Sequence, residues 1–176
     1  LIGCDGGLYK TTNLTNTFGT MPTYTAINTN YNVTQYYSCA AANVALSNNF
    51  IAGAQDNGSH KFSSAGINSV SAVSGGDGCF VFIDQTNNLN QITSYVYNNY
   101  YVSTNASSFS TLSGSDNTGD FVNPGDLDGV NDILYTKGGS GTIARWTSVF
   151  GTPTRTNLTI TGVTNISHIK VSPNTP

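Results

Sequence analysis

The sequence has little charge. Only 9% of its 176 residues are charged, where an ordinary soluble domain has roughly a quarter. Its 6 basic residues never cluster and are outnumbered by 9 acidic ones, for a net charge of −3. No basic stripe is present to follow a phosphate backbone, which argues against nucleic acid as a partner. Long apolar runs are also missing, so no segment qualifies as a membrane span. No signal peptide is visible at Leu1, and the absence of an initial Met together with the end at "VSPNTP" reads as a mature or excised piece. Cysteine is sparse: Cys4, Cys39 and Cys79 form no CxxC or Cys/His spacing. The expectation is buried or half-buried thiols, the alternative one disulfide with a thiol left over. His60 and His168 do not complete a zinc ligand set.

Asn, Thr, Ser, Gly and Tyr stand where Lys, Glu and Arg usually do. The small polar residues loosen or compete with the helical backbone, whereas Tyr, Val, Ile and Thr suit strands. An all-β protein is expected. Four similar segments recur: "LYKTTN" ending at Asn13, "HKFSS" at Ser64, "YYVSTN" at Asn105 and "IARWTS" at Ser148, with endpoints 51, 41 and 43 residues apart. A short apolar run and a turn precede each. A second series of strand-like runs fixes the phase: Tyr36 to Asn43, Cys79 to Asp84, the less regular Phe121 to Asp128, and Ile166 to Pro173.

A period of about 40 to 50 residues, with three or four short strands per period and Gly/Asn turns, is the pattern of propeller blades. The whole chain, 1–176, is expected to be a single β-propeller segment cut through its blades, with units at roughly 1–30 (partial), 31–75, 76–116, 117–162 and 163–176 (partial). A fragment of a larger propeller is preferred to a small closed ring of four blades.

The segments "GCDGGLYKTTN", "NYNVTQYYSCAA", "IAGAQDNGSHKF" and "SGGDGCFVFID" resemble successive pieces of the sortilin-like and bacterial neuraminidase repeat (BNR, Asp-box) propellers of secreted Bacteroidetes proteins, where GxDGGxY, GxQDNG and GGDG recur in that order. "LDGVNDILYTKGGSGTIARW" and "ISHIKVSPNTP" are similar to the same family's blade openings, so the resemblance covers nearly the whole chain. It implies a secreted or cell-surface protein, exported by the type IX route. Thr11, Asn13, Thr17 and Phe18 match four positions of a degraded Asp-box, with Thr15 in place of glycine. Ser103, Asn105 and Phe109 form a poorer copy. This motif reads as a hairpin staple without chemistry.

Asp5, Asp56 and Asp77 sit in glycine-flanked turns, where a carboxylate can bond the turn's own amides. "GCDGGLYK" is similar to the segment carrying a catalytic aspartate in xyloglucanase-type glycoside hydrolases, which makes Asp5 a candidate acid or base of an endo-acting hydrolase, although no partner carboxylate is identifiable. "GDLDGVND" spaces Asp126, Asp128 and Asp132 partly like a calcium loop, but lacks the closing Glu of an EF-hand. An ordinary turn is the simpler reading.

Tyr97, Tyr100 and Trp146 are candidate ligand-binding aromatics, with core packing preferred for Trp146. His60 and His168 read as strand packing residues. The six N-x-Ser/Thr sequons follow from composition and are not evidence of glycosylation. The function these features imply is a non-catalytic scaffold that binds glycan or protein, or else part of a glycoside hydrolase or of a surface adhesin or filament. Its partners would be that ligand and the remainder of a larger chain or assembly. No cofactor is called for unless the aspartate loop holds calcium.

Overall fold

The computed structural model describes residues 1–176 apart from Asp5, 15–18, Thr20, 30–33, 67–69 and 173–176. The candidate Asp5 and the Thr15, Thr17 and Phe18 positions of the staple therefore lie outside the described residues. Those that are described form fifteen strands and no helix, as the composition predicts. They divide into two compact units, Leu1–Val33 and Thr34–Pro176.

The first unit is a three-stranded antiparallel meander of β1 (Ile2–Cys4), β2 (Gly7–Lys10) and β3 (Thr25–Ala26). Asn28 ties the β1–β2 turn to β3: its Oδ1 accepts the Leu8 amide at 2.7 Å and its Nδ2 donates to the Gly6 carbonyl at 3.1 Å. After β2, the Asn13 carboxamide accepts from the Thr11 hydroxyl at 2.8 Å and the Thr23 amide at 3.0 Å. That is the expected action of the staple's Asx side chain.

The second unit contains three four-stranded sheets, each a meander of consecutive antiparallel strands. The second sheet of the chain comprises β4 (Tyr36–Ala41), β5 (Phe50–Ala54), β6 (Gly58–Phe62) and β7 (Ser71–Ser74). The third comprises β8 (Phe82–Ile83), β9 (Gln91–Ser94), β10 (Tyr100–Ser103) and β11 (Ser110–Thr111). The fourth comprises β12 (Gly125–Asp128), β13 (Ile133–Lys137), β14 (Thr142–Thr147) and β15 (Thr154–Thr159). Gln91–Ser94 of β9 is buried on both faces, whereas β14 alternates, turning Ala144 and Trp146 inward.

The third sheet is covered on both sides. Toward the fourth sheet, Phe82, Ile92, Tyr100 and Leu112 pack with Leu134, Ala144, Trp146 and Val149. Tyr100 meets Trp146 edge to face, with ring centroids 5.7 Å apart, and the indole N–H donates to the Ser113 carbonyl at 3.1 Å. Toward the second sheet, Val81 and Ile83 pack with Ile51.

The "QDN" knot is the three-residue connection of a hairpin: Ala54 pairs with Gly58 across it, and Asp56 adopts φ 58°. The Asp56 amide donates to Asp77 Oδ1 at 3.0 Å, and the Gly78 amide donates to the Ala54 carbonyl at 2.8 Å. A methyl at Gly53 would lie 2.0 Å from the Cys79 carbonyl oxygen, and one at Gly78 would lie 2.1 Å from the Gly58 carbonyl oxygen. GxQDNG and GGDG are thus two halves of one close backbone crossing, where the chain leaving β7 for the first strand of the next sheet passes the β5–β6 hairpin.

Candidate functional site

The four runs of the second sequence series meet. Ser38 to Ala40 on β4, Phe80 to Ile83 leading through β8, Gly125 to Leu127 on β12 and the extended segment His168 to Lys170 line one cleft of about 420 Å3. A smaller cavity of about 250 Å3 shares Gln85, Asp126 and Lys170 with it. Three sheets therefore contribute their first strands to a common opening. His168 to Lys170 belong to no sheet, and no backbone hydrogen bond joins residues 166–171 to another strand among the described residues.

Several polar groups of the cleft are used to fix its walls. The Ser38 hydroxyl donates to the Cys79 carbonyl at 3.0 Å and accepts the Val81 amide at 2.9 Å, which clamps β4 to the approach of β8. Gln85 Nε2 donates to the Ala41 and Ile83 carbonyls at 3.1 and 2.9 Å. Asp126 Oδ2 accepts the Val171 amide at 2.8 Å and pairs with Lys170 Nζ at 2.9 Å, which holds the extended segment against β12. The exposed Cys39 thiol and the exposed His168 ring remain at the cleft. With its one cation paired to its one carboxylate, the main cleft is close to neutral.

The aspartates of "GDLDGVND" are built into the hairpin between β12 and β13. Asp128 is 3% exposed, and its Oδ1 accepts the Val130 and Asn131 amides, both at 3.1 Å, while its Oδ2 accepts Asn131 Nδ2 at 2.8 Å. Asp132 has φ 55°. Burial, then the carboxylates of Asp84 and Asp128, raise its pKa from the ordinary value. Among the described residues no three acidic, His or Cys side chains are arranged to hold a metal ion.

The aromatic candidates separate by burial. Tyr100 is 1% and Trp146 0% exposed, so neither ring offers a face to a ligand. Burial pushes the Tyr100 phenol up, and its hydroxyl lies near Asn123 and Thr136 without reaching hydrogen-bond geometry with either. Tyr97 is half-buried at φ 61°, edge-on to Phe121 with ring centroids 6.2 Å apart. His60 bonds the Tyr36 hydroxyl through Nδ1 at 2.9 Å. Cys4, Cys39 and Cys79 are all free thiols. Cys79 is buried, and burial with a contribution from Asp77 raises its thiol to about 12, so it stays protonated and unreactive at neutral pH.

Sequence reasoning missed Ser38, Cys39, Gln85 and Lys170 as lining residues. The usable signal was the second series itself, since every wall of the cleft comes from one of its runs. No family model, curated protein or solved structure matches this chain. Among the described residues no helix is long and apolar enough to cross a membrane.

Proposed function

We propose that the chain is a β-propeller segment of a secreted or cell-surface protein, of the sortilin-like, Asp-box kind, and that it acts as a non-catalytic scaffold binding a neutral glycan or an uncharged protein segment at the first-strand cleft. The supporting observation is the convergence of three first strands and the extended run at 166–171 on one near-neutral opening. Three successive four-stranded meanders in the second unit, with a glycine-rich crossing between the first two of them, are what blades require. The exposed His168 imidazole beside apolar walls suits sugar hydroxyls and ring faces. Among the described residues the backbone of 166–171 makes no hydrogen bond to another strand's backbone, which favours association with a further strand of a larger propeller or assembly.

Catalysis by a carboxylate pair draws no support from the described aspartates near the cleft. Asp126 and Asp128 both border the smaller cavity, but the first is committed to Lys170 and Val171 and the second to its own turn. The test is a panel of soluble neutral oligosaccharides titrated calorimetrically, with Cys39→Tyr to fill the cleft. The reading predicts at least one binder, weakened about 10-fold or more by Cys39→Tyr at an unchanged unfolding midpoint. If no oligosaccharide or peptide binds, or if Cys39→Tyr binds like the parent, the cleft is not the site.

A further inference from the structure

The two seams within the second unit differ in chemistry. Between the third and fourth sheets, rings and aliphatic side chains fill the space. Between the second and third sheets, the row on the second sheet is Gly53, Ser59 and Ser74, which are joined by strand register. Cross-strand partners share a face, and Gly53 meets the Cys79 carbonyl of the chain entering the third sheet, so this row faces that sheet. Thr93 faces back. Gln91, two residues earlier on β9, reaches toward Asn49 beside β5 at 3.5 Å, and strand alternation puts residues 91 and 93 on one side.

Ser59 and Thr93 are both 0% exposed. The hydroxyls of Ser59, Ser74 and Thr93 are buried, and none has a hydrogen-bond partner among the described residues. Three such groups on the facing sides of one glycine-lined seam are not an accident of a single rotamer, because burying a hydroxyl with no partner is costly. The neighbouring charge on this face, Lys61, is spent on the Ala106 carbonyl. Asp77, at the crossing, accepts the Asp56 amide, so among the described residues both charges near this seam already have partners.

We propose that this seam binds internal water, held by the hydroxyls of Ser59, Ser74 and Thr93. Water both donates and accepts, fits between sheets where a side chain does not, and needs two to four polar partners, which these residues supply. The crossing glycines bring the backbones together, and the water completes the contact they leave.

Two measurements on the intact chain test this. A high-resolution crystal structure is expected to show an ordered water within hydrogen-bond distance of at least two of the three hydroxyls. Thr93→Val, which keeps the shape and removes the hydroxyl, is expected to lower the thermal midpoint by about 2–4 °C, and Ser59→Ala is expected to shift it in the same direction. A seam without a water peak among ordered side chains overturns the proposal. So does a Thr93→Val midpoint that is unchanged or raised, because deleting a dry, unsatisfied hydroxyl removes a penalty.

Discussion

Arg155 shows how much of this molecule's cohesion depends on single polar side chains. Its guanidinium pairs with Asp116, donates to the Gly114 carbonyl at 2.8 Å and to Thr118 Oγ1 at 3.0 Å, and lies 4.7 Å over the Trp146 ring. One residue on the outer strand of the fourth sheet thereby holds the loop that leaves the third sheet. Burial alone would raise the Asp116 carboxyl, but Arg155 and the Thr118 hydroxyl and amide outweigh it and hold it below the ordinary carboxylate range. A carboxylate depressed on folding contributes stability that is present above its unfolded value and lost as pH falls through the folded one. Stability is therefore expected to drop below about pH 4, by a modest amount because Asp116 is 39% exposed. Arg155→Met should be less stable at neutral pH and should flatten that acid limb, as urea midpoints at several pH values will show. An acid limb as steep in the variant as in the parent contradicts the assignment.

At the scale of elements, the crossing between GxQDNG and GGDG is the feature most legible in the sequence and most constrained in the structure. Gly53→Ala puts a methyl against a backbone carbonyl that cannot move away, and is expected to cost about 3 kcal/mol or more by chemical denaturation. Gly75→Ala, with nothing within 4 Å of the added methyl, serves as the control and should stay within about 0.5 kcal/mol. Equal effects would mean that the close approach is not what the glycines are for. The hairpins could be read from the sequence because turn chemistry is local: glycine, Asp and Asn declare a turn within a few residues. Alternation likewise exposed the strands. It could not say which face is covered, and so Tyr100, like the less favoured surface reading of Trp146, became a candidate platform although both rings belong to the core. The Arg155 cluster was invisible for a related reason, since its partners lie about forty residues away and only packing brings them together.

The second unit is held by seams of different kinds, apolar between the third and fourth sheets and, between the second and third, glycines and hydroxyls beside the Ile51, Val81 and Ile83 contact. The sequence revealed that four runs were related, but not that they would surround a shared cleft. Periodicity along a chain carries no information about the distance between sheets. The proposed blades and the proposed binding site rest on the same point, that the first strands converge and that the run at 166–171 belongs with them. The most direct measurement is an experimental density map of the chain in its natural assembly, at a resolution that traces strands. The account predicts that β4, β8 and β12 and the extended run face one opening, with a further strand paired antiparallel to residues 166–171. A map in which the three sheets share no opening, or in which that run is covered by something other than a strand, would contradict it.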